Sequence, residues 1–185
     1  NIRKELGVKQ QLLTPHEIPD LEPHIKKIYY GGVLYPNARH ARNPKKILLK
    51  LFGLFLEQGG HFEKQNVETI AFSSEDKPII KSNSNTYNFD KIVIACGAFS
   101  KKLTDQANEK IPLDTERGYH VHFKGKDHLL SRPVIFLNRG FGITPMEQGL
   151  RVVGTVEFGG LNNPLSNKRI LNLVNNAKYL FSELS

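Results

Sequence analysis

The chain has 185 residues, 39% hydrophobic and 24% charged, with a formal net charge of +8; that is long enough to bury a real core in one ordinary domain or two small ones, and the balance excludes a disordered chain. The longest apolar stretch, Ile47 to Leu56, is broken by Lys50 and Gly53 and falls short of the ~20 residues that span a bilayer. A single cysteine, Cys96, excludes an intrachain disulfide and a multi-cysteine metal site and fits a reducing compartment. The positive charge is spread over Lys26-Lys27, Lys45-Lys46, Lys101-Lys102 and Lys168-Arg169, with acidic residues between the pairs. It reads as a solvated basic surface, and no nucleic-acid partner is expected.

In chain order, Leu12-Leu13 ends a short extended piece. Thr14-Pro15-His16-Glu17 then offers a threonine cap, a proline at the first helical position and a capping-box glutamate, which predicts a short helix starting there and interrupted by Pro19 and Pro23. Ile28 to Tyr35 reads as a strand that bends or is closely approached at Gly31-Gly32. Asn43-Pro44 opens the strongest helix, whose apolar face includes Ile47, Leu48, Leu51, Phe52, Phe55 and Leu56 and which Gly59-Gly60 stops.

Short apolar runs follow, His61 to Phe72, Pro78 to Ser82 and Tyr87 to Ala95, separated by turn-rich pieces. The last run ends abruptly at Cys96-Gly97-Ala98, with a short helix predicted from Ser100 to about Gln106. From Ile111 the pattern alternates as in an antiparallel sheet, with strands at Gly118 to Phe123, Pro133 to Asn138, Phe141 to Pro145 and Leu150 to Phe158. An amphipathic helix over Ser166 to Ser185 closes the chain, with Ile170, Leu173, Val174, Ala177, Leu180 and Phe181 on its apolar face. The fold class is α/β plus α+β. A chain that starts at Asn1 without methionine and stops in a predicted helix is expected to be an internal piece of a longer protein.

Motifs for self-sufficient chemistry are few. His120 and His122 share one face of a strand, but a metal would need a third ligand. No serine sits on a Gly-x-Ser-x-Gly elbow, and Gly140-Phe141-Gly142 lacks the third glycine and the strand-to-helix setting of a dinucleotide loop.

Several segments, taken in order, resemble the FAD-dependent amine and amino-acid oxidoreductases of the D-amino-acid oxidase superfamily. They are Leu13-Thr14-Pro15-His16-Glu17-Ile18 with Leu21-Glu22-Pro23, Gly31-Gly32-Val33-Leu34-Tyr35-Pro36, and Ala41-Arg42-Asn43-Pro44. Val93-Ile94-Ala95-Cys96-Gly97-Ala98-Phe99-Ser100 and Pro112 to His120 follow, then Ile143-Thr144-Pro145-Met146-Glu147 and Gly154-Thr155-Val156-Glu157-Phe158. The Glu116-Arg117-Gly118-Tyr119-His120 segment resembles the D-amino-acid dehydrogenase branch most closely.

The resemblance implies a partial Rossmann-like FAD-binding domain and a mostly antiparallel substrate domain. Residues 1–34 and 105–185 would belong to the substrate domain, and 35–104 to the middle of the FAD domain. It implies FAD contacts at Val67, Ala95, Cys96, Gly97 and Phe99, although the family usually has alanine and tryptophan where this chain has Cys96 and Phe99. It implies substrate contacts at Arg117, Tyr119, His120, Phe141, Thr144 and Glu157, an arginine being suited to a carboxylate. The nucleotide-binding βαβ unit and the C-terminal return to the FAD domain are missing, so this piece is not expected to retain FAD or to act alone.

The expected activity of the longer protein is oxidation of a D-amino acid to an imino acid, with electrons passing to an acceptor other than nicotinamide. The expected location is the cytoplasm or the periphery of the bacterial inner membrane. Two alternatives stay open: an amine, glycine or 2-hydroxy-acid oxidoreductase of the same fold, and a basic binding module without catalysis.

Overall fold

The computed structural model describes residues 2–184. Its elements are α1 (Ile2–Glu5), β1 (Gln11–Leu13), α2 (Ile18–Leu21), β2 (Gly32–Leu34), α3 (Pro44–Glu57), β3 (Val67–Phe72), β4 (Pro78–Ser82), β5 (Thr86–Asn88), α4 (Ser100–Gln106), β6 (Arg117–Lys124), β7 (Val134–Phe136), β8 (Phe141–Met146), β9 (Gly149–Glu157) and α5 (Asn167–Leu180). They fall into two compact units, one of Asn1–Lys50, Gly118–Glu157 and Pro164–Ser185, the other of Leu51–Arg117 and Phe158–Asn163.

The first unit is built on a four-stranded sheet in the order β6-β9-β8-β7 and a two-stranded ladder of β1 and β2. Period-two alternation decides the faces: Phe141, Ile143, Leu150 and Val152 are buried, while Gly142, Thr144, Arg151 and Val153 between them are more open. Antiparallel pairing of β8 with β9 sets Ile143 against Val152 and Thr144 against Arg151, so each pair shares a face. The buried face takes Leu173, Ala177 and Leu180 of α5 together with Phe181, all at most 1% exposed. Each of the large side chains among them contributes about 1.5–3 kcal/mol by leaving water. Two glycines permit close backbone approach: a Cβ on Gly149 would lie 2.2 Å from Phe123 O, and one on Gly154 would lie 2.9 Å from Gly140 O.

A buried carboxylate fastens the N-terminal segment to this sheet. Glu22 is 4% exposed. It accepts hydrogen bonds from the Ser131 backbone N–H at 3.0 Å, the Ser131 hydroxyl at 2.6 Å and Arg132 Nε at 3.0 Å. Three donors, one of them charged, compensate the loss of water around the acid. Close by in sequence, Lys26 donates its backbone N–H to Leu180 O, and the His24 ring meets Glu183.

The second unit holds the antiparallel sheet β3-β4-β5. Its β3–β4 turn is closed by Ser73, whose hydroxyl accepts from the N–H groups of Glu75 and Lys77, and by Asp76 at φ 60°. β3 is an edge strand. The Gln106 side chain at the end of α4 meets that edge, accepting from Ile70 N–H and donating to Glu68 O, which ties helix to sheet where Ile70 and Leu103 are buried.

The sequence expectations hold in outline. α3 is capped by Asn43, whose Oδ1 accepts from Lys46 N–H, and it stops at Gly59 in the left-handed region with φ 87°. A Cβ on Gly31 would meet Leu13 O at 2.9 Å, the close approach expected there. Several details differ. The Thr14–Glu17 box forms, with Glu17 accepting from Thr14 N–H and hydroxyl, but it makes a turn, and the helix begins at Ile18 with Pro19 in its first turn, where proline is tolerated. The strand expected over Ile28 to Tyr35 is confined to β2, and that over His61 to Phe72 to β3.

Ile92 to Ala95, expected as a strand, has no ladder partner among the described residues; β-forming side chains do not make a strand without one. The last helix ends at Leu180, and the expected endpoint Ser185 lies outside the described residues.

Replacing Glu22 by alanine is expected to destabilise the chain by about 2–3 kcal/mol, because all three part-buried donors lose their acceptor. Arg132→Ala should cost about 1 kcal/mol, its side chain being 39% exposed. Urea denaturation of both variants and the double variant measures the difference and the coupling; equal small losses would count against the buried carboxylate as a fastener.

Candidate functional site

Two depressions occur in the first unit. One, about 250 Å³, is lined by His40, Arg42, Asp127, His128, Leu130, Ser131 and Pro145. Several of its polar groups are engaged: Arg42 pairs with Asp127 at 3.0 Å, and His40 Nε2 lies 3.1 Å from Pro145 O. The other, about 290 Å³, lies along β6 and β9 and is lined by Gly118, Tyr119, His120, Arg151, Val153, Gly154, Thr155 and Val156. Here two buried polar atoms, Arg151 Nε and Thr155 Oγ1, have no hydrogen-bond partner among the described residues. Such atoms cost free energy unless a ligand or water meets them. The second cleft is the candidate site.

Its side chains follow from the pleat. On β6, Tyr119 points to the core while His120 and His122 point to the opposite face, their rings 5.3 Å apart and edge to face. On β9, Arg151 and Val153 occupy that face. The alternation is reset at Thr155, which has φ 58°, a left-handed conformation that a β-branched residue adopts only at a cost of about 1–3 kcal/mol. Partial burial pushes the His120 pKa below the ordinary 6.5, and the Arg151 charge lowers it further. His122 is lowered by burial, then by His120 and by Arg151. At neutral pH both rings are therefore neutral donor–acceptors beside one fixed cation.

The residues predicted from sequence divide between this face and the core. His120 lines the cleft, and Thr144 stands opposite Arg151 in the β8–β9 register. Phe141 is a core residue, 2% exposed and stacked on Phe136. Tyr119 is also buried; its hydroxyl donates to Glu157 Oε2 at 2.6 Å and accepts from Ser166 N–H at 3.0 Å, linking the start of β6 to the end of β9 and the start of α5. Arg117, in the second unit, donates to the carbonyls of Asn163 and Leu161 at 2.6 and 3.2 Å and so braces the 158–163 segment. Arg151 and Thr155 were missed. A lone arginine out of phase with Leu150 and Val152 was the available signal, and the irregularity at Thr155 left none.

In the second unit the predicted cofactor contacts form an open surface. Val67 starts β3, 91–96 carries no regular structure, and a single 3-10 turn over Gly97–Phe99 leads into α4. Ala95, Cys96 and Gly97 are exposed, as are Phe99 at 64% and Val93 at 88%. Gly97 has φ 55° and open space where a Cβ would stand, so the backbone can be approached.

The pattern of the DAO family, described as FAD dependent oxidoreductase, matches residues 1–185. The chain belongs to this family. It is 28% identical over 160 residues to a D-amino-acid oxidase of Bradyrhizobium diazoefficiens, covering 86% of this chain and 38% of that protein. It is 23% identical over 174 residues to a D-amino acid dehydrogenase of Neisseria gonorrhoeae, covering 91% and 41%. The crystal structure of glycine oxidase from Geobacillus kaustophilus superposes with a TM-score of 0.79 at 21% identity, covering 98% of this chain and 49% of that one. The fold is thus of DAO and glycine oxidase type, and the chain spans about two fifths of the length of these curated relatives.

FAD is the family's cofactor, and the exposed small and apolar residues at 67 and 95–99 suit a flat ring system. They supply no charged side chain for a pyrophosphate. No helix among the described residues is long and apolar enough to cross a membrane.

The two imidazoles give a pH signature. The unfolded chain takes up their protons near pH 6.5, before the folded chain does, so the histidines cost nothing well above that value. Stability falls as the pH drops through 6.5 towards their folded values. His122→Asn is expected to flatten this fall between pH 7 and 5, read as urea midpoints at each pH. Glu147, held below its ordinary 4.5 first by its hydrogen bond from Lys46 and then by that from Asn43, loses its contribution only at lower pH and does not overlap.

Proposed function

We propose that the chain is an internal part of an FAD-dependent D-amino-acid dehydrogenase, with the first unit contributing to the substrate domain and the second to the FAD-binding domain. The observation that carries the reading is the match to the DAO family along all 185 residues, with relatives named D-amino-acid oxidase and D-amino acid dehydrogenase among the similar proteins. Bound FAD would supply the redox chemistry by accepting the electrons of the substrate's α C–H bond. The side chains of this chain bind and orient. Val67, Ala95, Cys96, Gly97 and Phe99 would lie against the cofactor, while His120, Thr144 and Arg151 offer polar contacts to a small polar substrate, and Tyr119 with Glu157 fixes the strand ends that carry them.

The imino acid formed hydrolyses to a 2-oxo acid and ammonia, and the electrons pass to an acceptor other than nicotinamide. A second reading, oxidation of glycine or a related amine on the same fold, is favoured by the superposition on glycine oxidase.

The expected result is a flavin absorption spectrum and D-amino-acid-dependent reduction of a dye acceptor by the full-length polypeptide that carries this sequence, with neither from the 185-residue chain alone. Turnover with glycine but not with D-alanine would select the second reading, and a colourless full-length protein would overturn both.

A further inference from the structure

The turn between β8 and β9 is fastened from outside its own hairpin. It consists of Glu147 and Gln148, since Met146 and Gly149 are the last paired residues of the two strands. Neither takes the positive φ of the two-residue turns whose twist matches the strands, and Gly149, at φ 136°, absorbs the difference. A turn of this kind leaves the direction of the hairpin tip to its contacts.

Those contacts come from the 40–46 segment. Glu147 N–H donates to Arg42 O at 3.0 Å. The Glu147 carboxylate accepts from Asn43 Nδ2 at 2.6 Å and from Lys46 Nζ. Beside it, His40 Nε2 donates to Pro145 O at 3.1 Å, and Arg42 is itself held by Asp127 at 3.0 Å. Asn43 serves two ends at once: its Oδ1 caps α3 through Lys46 N–H, while its amide nitrogen holds Glu147. The carboxylate thus stands at the positive start of a 14-residue helix as well as beside an ammonium.

An exposed ion pair adds little to stability, because two long side chains are ordered to make it and water competes for both. What this one fixes is position. Thr144 and Arg151 face each other across β8 and β9, with only Pro145–Leu150 and Met146–Gly149 between them and the turn, about 10 Å along the strand. The strands are hydrogen-bonded partners, so a tilt of the tip moves both side chains. We propose that Glu147 is a positioning residue: by tying the β8–β9 turn to the start of α3, it holds Thr144 and Arg151 in place on the open face of the sheet. That this face meets the substrate rests on the function proposed above; the anchoring of the hairpin does not.

The anchoring is tested by NMR on the 185-residue chain at pH 7, reading the Thr144 methyl and Arg151 Nε–H signals. Glu147→Ala is expected to shift both, and Lys46→Met to shift them in the same direction. The double variant should go no further than Glu147→Ala, because partners in one contact are not additive. Arg132→Ala, which loosens the Glu22 contacts instead, should leave both signals where they are.

The consequence is tested in the full-length polypeptide that carries this sequence. There Glu147→Ala should raise KM for D-alanine about three- to fivefold, with kcat changed by less than about twofold, the pattern of weakened substrate contacts. Glu147→Gln, which still accepts from Asn43, should lose less, and Arg132→Ala should leave KM unchanged. Signals that stay put in Glu147→Ala, additive effects of the two single variants, or a fall in kcat at constant KM would overturn the proposal. A full-length protein that fails to oxidise D-amino acids would sink the proposed function and leave the NMR result to decide the anchoring.

Discussion

The strand pleat is the constraint on which the first unit depends. Successive side chains of β6 and β9 leave opposite faces of the sheet, so packing Leu150, Val152 and Tyr119 into the core obliges Arg151 and His120 to point the other way. Core and candidate site are thus two readings of one alternation. A register slip of one residue would put a guanidinium and an imidazole into the apolar layer, which costs far more than the ladder could return.

Much of this was legible in the sequence because the relevant signals are local. The caps and stops of α3, the four strands from 117 onwards and the apolar face of α5 all rest on spacing and on glycine, proline and asparagine chemistry that neighbouring residues determine. What escaped notice depends on partners distant in the chain. Ile92 to Ala95 has strand composition but no pairing partner, and the Thr14 box closes a turn because Ile18 and Pro19 take over the helix start. The family was legible from the order of its segments, each weak alone.

The site was harder to read. Family resemblance drew attention to aromatic positions, and Phe141 and Tyr119 prove to be packed inside. Arg151 sits in an otherwise plain strand, and its significance lies in a missing partner, which no one-dimensional pattern records. Likewise α3 looks like a core helix by composition, yet none of its described residues is buried, with Leu48 at 65% and Leu51 at 59% exposed. Amphipathicity tells which face seeks cover, not whether the cover is present.

The Glu22 carboxylate has a consequence for the order in which the chain is assembled. Its acceptor oxygens are matched by donors 109 and 110 residues later. At the usual pace of synthesis, about 5–20 residues per second, the acid stays hydrated and the N-terminal segment undocked for roughly 5 to 20 seconds. The second unit, whose sheet contacts are mostly between neighbouring strands, is complete in the meantime apart from its 158–163 segment. The first unit cannot close before α5 leaves the ribosome, so α5 decides when its sheet becomes a sealed core.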